Sequence, residues 1–251
     1  MNYDQLHKYS TGESQIIALI DSGISDFQVS KINKSYSFVK DVNDFDTNGH
    51  GTMMCSLILG SDDKVGISPN VKINSYKVVN NNGKIEPQVL ADAINKAVQD
   101  KVNIINVSLG SYFDNELVKN AVTNANNQDI LVIASSGDYE TADMLFPAKY
   151  NNCISVGAIN KNLESWESTN ASKECTILAP SVDIKTLDVK KEYSYTSGTS
   201  QSTALISGYI SLLKDYAMKK NIVLSNQSIR DILQKINKGD LSYCNAFENL
   251  K

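Results

Sequence analysis

The amino-acid sequence predicts an α/β fold with a doubly wound, mostly parallel sheet and helices on both faces. Short apolar segments recur along the chain without alternating polar residues, which is typical of parallel strands covered on both sides. Segments with apolar residues at helical spacing lie between them. This alternation indicates crossover connections, and ligand sites in such folds lie at the carboxyl ends of the strands.

Five strands and four helices follow from these patterns. The run IIALI at residues 16–20 is the clearest strand, and in the first helix Leu90, Ile94 and Ala97 share one face. Ser225 or Asn226 is expected to cap the last helix. The predicted strands are residues 16–20, 71–79, 104–109, 130–134 and 154–159, and the predicted helices are residues 88–99, 116–126, 200–213 and 227–236.

Composition and charge limit the classes of function. The chain has 251 residues, of which 41% are hydrophobic, and neither a linker nor an internal repeat interrupts it. We therefore expect one domain spanning residues 1–251. The net charge of −4 argues against nucleic-acid binding, which needs clustered positive charge. No apolar run approaches the roughly 20 residues of a membrane span, so no membrane partner is expected.

The cysteines and the N-terminus bear on the cellular compartment. The N-terminus has no basic start followed by an apolar core, which predicts a cytoplasmic protein, although a trimmed mature form of a secreted protein would look the same. Free thiols in a reducing compartment are favoured over disulfides. Two histidines in the whole chain argue against a zinc site. The four cysteines, Cys55, Cys153, Cys175 and Cys244, show no metal-ligand spacing.

Three short segments carry residue types that suit catalysis. Asp21 begins DSGI directly after the first strand, His50 lies in NGHGT, and Ser200 lies in SGTSQSTA before a helix. Singly, they read as a turn, a loop residue and a helix cap. Together they supply a carboxylate, a base and a nucleophile, the set that acyl transfer by serine requires. The chain order Asp, His, Ser is one of the known orders of such triads.

On these motifs the chain resembles the subtilisin-like serine proteases, or subtilases. The segments SLG at 108–110, FPAKY at 146–150 and ISVGA at 154–158 are also similar to family segments. The resemblance implies a serine endopeptidase in which Ser200 is the nucleophile, His50 the general base and Asp21 the residue that orients His50. It implies that the substrate cleft is lined by Ser108, Leu109, Gly110, Ala134, Ser135, Ser136 and Gly137.

The chain departs from the family pattern near the expected oxyanion hole. Asp138 stands where the family normally has an asparagine whose amide donates to the oxyanion. The serine motif has Gln201-Ser202 in place of Met-Ala and Ala204 in place of proline. Leu145 falls where many members have a small residue at the floor of the pocket for the residue before the cut. These departures leave open a peptide-binding pseudoprotease that does not cut.

The resemblance also bears on metal, substrate and biological role. The loop at 60–68 is shorter than the family's usual calcium-binding loop, so we expect no cofactor, although Asp62 and Asp63 could hold a cation. The expected partner is a peptide or precursor peptide bound as an extended strand to a monomer. Among subtilases the chain is most similar to small intracellular lantibiotic leader peptidases. A general intracellular protease is the alternative enzyme.

Overall fold

A seven-stranded sheet forms the centre of the molecule, and all its neighbouring strands pair in parallel. The computed structural model describes residues 3–40, 45–61 and 64–250. The strands are β1 (Ile16–Asp21), β2 (Lys34–Ser37), β3 (Lys72–Lys77), β4 (Ile104–Val107), β5 (Leu131–Ser135), β6 (Cys153–Ile159) and β7 (Ile177–Pro180), in the sheet order β2-β3-β1-β4-β5-β6-β7. A separate antiparallel hairpin joins β8 (Ile184–Leu187) and β9 (Tyr193–Thr196).

Six α-helices are described, and they cover both faces of the sheet. They are α1 (His50–Leu59), α2 (Pro87–Gln99), α3 (Glu116–Asn127), α4 (Thr199–Lys219), α5 (Asn226–Asn237) and α6 (Tyr243–Glu248). One apolar core joins the sheet to α1, α4, α5 and α6, and a second joins it to α2 and α3. Helices on both faces of a parallel sheet confirm the predicted doubly wound α/β class. Three short 3₁₀ helices lie at Tyr3–Lys8, Asp26–Lys31 and Ser172–Glu174.

The predicted elements exist, and their ends differ in two places that bear on the site. The strand predicted for 104–109 stops at Val107, so residues 108–110 continue beyond the sheet and are free to line a cleft. Helix α4 runs to Lys219 rather than ending near residue 213. An ion pair of 2.8 Å between Asp215 and Lys219, one turn apart, stabilises this added length. Ser225 caps α5 by accepting a hydrogen bond from the Ser228 N–H.

Sequence patterns did not reveal α1, β2, β7 or the hairpin. Helix α1 is buried around most of its circumference, so it lacks the amphipathic stripe by which helices are identified. Strand β2 is a polar edge strand. Asp62 and Asp63 lie outside the described residues, so the suggestion that they hold a cation stays a prediction.

Candidate active site

Asp21 and His50 form a direct pair at the carboxyl end of the sheet. Asp21 is the last residue of β1, and His50 is the first residue of α1. The His50 Nδ1 atom lies 2.7 Å from the Asp21 Oδ1 atom. Because a carboxylate only accepts, Nδ1 carries the proton and Nε2 keeps its lone pair. In this arrangement Nε2 of His50 can act as a base.

Close packing keeps the two residues together. Gly51 follows His50, and a Cβ atom at this position would lie 2.1 Å from the carbonyl oxygen of Gly23. Only glycine lets the start of α1 approach the loop after β1 this closely. The Asp21 carboxylate is 1% exposed and also accepts a hydrogen bond of 2.7 Å from the Ser22 N–H. These contacts hold the carboxylate in one orientation toward the imidazole.

Three carboxylates act on His50. Burial lowers the pKa of His50, but Asp21, through its charge and its hydrogen bond, and the charges of Asp46 and Asp138 raise it, and the net effect is a raised pKa. Protonation of Nε2 removes the base. Activity that depends on this base is therefore lost as the pH falls through the raised pKa of His50.

Ser200, near the start of α4, is not hydrogen-bonded to His50 in the described part of the chain. Its hydroxyl instead donates to the Ser108 carbonyl oxygen at 3.2 Å, and the Ser108 hydroxyl donates to the Ser200 carbonyl oxygen at 3.3 Å. Ser200 is the second residue of α4, where backbone N–H groups have no partner inside the helix. No described residue accepts from the Ser200 N–H, so this donor is free for an oxyanion.

Asp138 lies at the same helix start. Its Oδ1 atom accepts a hydrogen bond of 2.8 Å from the Thr199 N–H, directly before Ser200. Its Oδ2 atom packs against Gly198, where a Cβ would lie 2.8 Å away. The Oε1 atom of Gln201 would lie 2.9 Å from the same added Cβ, and it is buried without a hydrogen-bond partner in the described part of the chain. Asp138 and Gln201, two of the departures from the family pattern, therefore both lie next to Gly198.

The two predicted cleft segments lie at the carboxyl ends of neighbouring strands: residues 108–110 follow β4, and residues 134–137 include the end of β5. Leu145 joins the two segments. The Leu145 N–H donates to the Ser136 carbonyl oxygen at 2.9 Å. Its side chain lies between Gly110 and Gly137, where added Cβ atoms would approach it to 2.7 and 2.8 Å. Leu145 is 6% exposed. The space between the segments is therefore filled by a leucine side chain.

Burial differs between the residues of these segments. Leu109 is half-buried and Gly110 is exposed, so they are accessible to a bound peptide, whereas Ser108 is buried. The Tyr112 and Tyr139 rings, which follow the first and second segments in sequence, contact each other with centroids 5.9 Å apart. The residues of the second segment, Ala134, Ser135, Ser136 and Gly137, are all buried.

Sequence analysis missed two residues that organise the site. Asp46 accepts five hydrogen bonds beside His50. Buried Asn170 accepts from the Tyr139 N–H at 2.8 Å and donates from Nδ2 to the Tyr112 hydroxyl at 3.2 Å, so it holds the loop after Asp138. An acidic residue just before a helix start is a signal that could have identified Asp46. For Asn170 the sequence offers no such signal.

Three of the four thiols do not offer an alternative nucleophile. Burial raises the pKa of Cys55 and Cys153 to about 12, and that of Cys175 to about 11. Thiolates are the reactive form, so these groups are inert near neutral pH. All four cysteines are unpaired. Within the described ranges, no group of three or more His, Cys, Asp or Glu side chains is arranged to hold a metal ion, and no helix has the length and apolarity of a membrane span.

Comparisons with known proteins agree with this fold. The chain is 30% identical over 249 residues to the minor extracellular protease Epr of Bacillus subtilis (strain 168), covering 93% of this chain and 38% of that protein. It is 34% identical over 180 residues to the major intracellular serine protease of the same organism, covering 68% and 56%. The chain thus spans less than two thirds of the length of these relatives.

A solved structure shares the fold. It is titled "Structure of Prenylagaramide maturation protease PagA" and matches with a TM-score of 0.82 at 24% identity, covering 100% of this chain and 98% of that one. The family model described as the subtilase family matches residues 12–242. The chain belongs to the subtilase family.

Proposed function

We propose that this protein is a serine endopeptidase that uses Asp21, His50 and Ser200. The observation that carries the proposal is the 2.7 Å contact between Asp21 and His50, which leaves Nε2 as a base at the start of α1. Helix α1 packs against α4, which begins with Thr199-Ser200. Nε2 takes the Ser200 proton while Oγ bonds to the scissile carbonyl carbon. His50 then gives the proton to the leaving amine, and water hydrolyses the acyl-enzyme by the same route.

The Ser200 hydroxyl must first leave the Ser108 carbonyl oxygen. A peptide lying extended along residues 108–110 offers its own N–H groups to carbonyl oxygens there. Such an N–H replaces the Ser200 hydroxyl at Ser108 and leaves Oγ free to turn to His50. The Ser200 N–H then donates to the oxyanion. Substrate binding and assembly of the triad are coupled in this scheme.

The substrate is a peptide with a small residue before the cut, because Leu145 fills the space between Gly110 and Gly137. Beside Gly110 lies a cavity of about 190 Å³ that suits an apolar side chain elsewhere in the peptide. Its apolar lining comes from Ile85, Leu90, Phe113, Val118 and Phe146.

Such restricted recognition favours a processing protease, of the lantibiotic leader peptidase kind, over a degradative one. A general intracellular protease would instead accept many side chains before the cut. The four unpaired thiols support a reducing, cytoplasmic location.

A peptide-binding pseudoprotease is the second candidate. The contact between Ser200 and Ser108 and the carboxylate of Asp138 beside α4 favour it. The two functions differ in whether Ser200 reacts.

Labelling with a fluorophosphonate distinguishes them. We expect the wild type to be labelled and to cut peptides, and Ser200→Ala to lose both, at least about 10³-fold in rate, while still binding peptide. Ser197→Ala, an exposed serine of the same motif, is the matched control and should be labelled like wild type. An unlabelled wild type that binds peptide would establish the pseudoprotease instead.

A further inference from the structure

Asp46 is a buried carboxylate that accepts five hydrogen bonds four residues before His50. The side chain is 6% exposed. Oδ1 accepts from the N–H groups of Asn48 and Gly49 at 3.0 and 2.8 Å, and Oδ2 from the Thr52 N–H at 2.9 Å and the Thr52 hydroxyl at 2.6 Å. The fifth donor is the Ser22 hydroxyl at 2.9 Å. Buried carboxylates this fully satisfied hold their neighbours in fixed positions.

These bonds replace a missing helix cap. The cap position of α1 is Gly49, which has no side chain to accept the first N–H groups. The Thr52 N–H donates to Asp46, and the Gly51 N–H donates to the Ser22 hydroxyl at 2.9 Å. A negative charge at a helix N-terminus is also favourable. The first turn of α1, which carries His50, is therefore anchored on Asp46.

The Asp46 carboxylate is also connected, through Ser22, to Asp21. Ser22 donates to Asp46 and directly follows Asp21, whose Oδ1 accepts the Ser22 N–H. The Asp46 N–H donates to the Ile24 carbonyl oxygen at 2.9 Å, fixing the loop after β1. The Asp46 side chain thus contacts both Ser22, directly after Asp21, and the helix that carries His50.

We propose that Asp46 is a positioning residue that sets the geometry of the Asp21–His50 pair and adds a second negative charge beside the imidazole. The expected effect of Asp46 on kcat rests on the proposed peptidase function. Its expected effect on the position and pKa of His50 does not. The charges that act on His50 are those of Asp21 from β1, Asp46 from the segment before α1, and Asp138 from the loop after β5. Removing Asp46 lowers the pKa of His50, because its charge favours the protonated imidazole.

The test is Asp46→Asn, which keeps the shape but loses the charge and one acceptor. Titration of the imidazoles followed by NMR reads out His50 directly, and His7, the other histidine, is the internal reference. We expect the His50 midpoint to move to lower pH while that of His7 does not move. We also expect kcat to fall about 10- to 100-fold, since small misplacements of catalytic groups have effects of this size. An unmoved His50 midpoint would overturn the proposal.

The matched control is Asp215→Asn. Asp215 is also a fully buried aspartate with several partners, among them Ser10 at 2.7 Å, the Ser14 N–H at 2.9 Å and Lys219. It lies in α4, distant in sequence from Ser200. We expect this variant to have a lower Tm but an unmoved His50 midpoint and unchanged kcat.

Ser22→Ala covers the case in which Asp46→Asn does not fold. It removes the link between Asp46 and the start of α1 at Gly51 but leaves every charge in place. We expect kcat to fall about tenfold with KM little changed; an unchanged kcat would contradict the positioning role. If the wild type neither labels with fluorophosphonate nor cuts peptide, the peptidase proposal fails, while the NMR titration still decides the role of Asp46.

Discussion

The two halves of the candidate site differ in how completely they are assembled. In the half formed by β1 and α1, Asp21, His50 and Asp46 are connected by hydrogen bonds of 2.6 to 3.0 Å to each other or to their immediate neighbours. In the half formed by β4, β5 and α4, Ser200 bonds to Ser108 instead of His50. In the proposed mechanism the base is ready before substrate arrives, whereas the nucleophile is not.

This difference between the two halves indicates which of them can determine substrate selectivity. The departures near the expected oxyanion hole and pocket, among them Asp138, Gln201 and Leu145, lie in the second half, whereas the segments around Asp21 and His50 match the expected motifs. A pre-organised base serves any substrate equally. Selectivity must then arise where the peptide lies, through the filled space at Leu145 and the release of Ser200 by the correct peptide.

Opening the filled space is expected to have the largest effect on this comparison. Leu145→Gly removes the side chain between Gly110 and Gly137. We expect cleavage after Phe or Leu to rise at least about 100-fold in kcat/KM, because a large side chain gains both space and apolar contact. Peptide-library profiling of wild type and variant measures this.

A conservative change at the same position is the control for Leu145→Gly. Leu145→Met keeps the volume and should keep the preference for small residues. If wild type already cuts best after Phe or Arg, the space at Leu145 is not the pocket for that residue.

The buried pattern of the strands made the fold predictable, and the first half of the site with it. The uninterrupted run before Asp21 identified β1 and put the aspartate at its carboxyl end. A lone histidine between glycines is typical of a loop, but His50 is the first residue of α1. The helix is not apparent in the sequence because it has no polar face. A motif can therefore be recognised in the sequence even where the helix or strand that carries it cannot.

Contacts between distant segments were not predictable. Asp46 matters because Ser22, 24 residues earlier, folds onto it. Leu145 matters because it lies between glycines from two different segments. The contact of the Ser200 hydroxyl with a carbonyl 92 residues away has no local signature either. Such pairings depend on how β4, β5 and α4 meet, which apolar periodicity does not specify.

A smaller effect is expected at the oxyanion position. Oδ1 of Asp138 is held by the Thr199 N–H, so an asparagine in the same pose keeps that acceptor and presents an amide donor in place of Oδ2. Loss of one oxyanion donor typically reduces the rate about 10² to 10³-fold. We therefore expect Asp138→Asn to raise kcat on a short generic peptide about tenfold or more. No increase at any pH would mean that the carboxylate has a positive role, such as binding a substrate group.

The pH dependence of the same variant is the smallest expected effect and identifies the state of Asp138. Asp138 is the last of the three carboxylates that raise the pKa of His50. If it works as a carboxylate, its removal lowers the pKa of His50, so the base stays unprotonated to lower pH and the acid limb of kcat/KM moves to lower pH in Asp138→Asn. If it works as a neutral acid that donates its proton to the oxyanion, wild type has the more acidic optimum, and the variant moves to higher pH. Oδ1 of Asp138 accepts a hydrogen bond from the Thr199 N–H, and we expect the first result. Measuring kcat/KM against pH for both proteins on one peptide gives the direction in which the acid limb moves. Asp188→Asn, at a half-buried aspartate that accepts two backbone N–H bonds, should leave the limb unmoved.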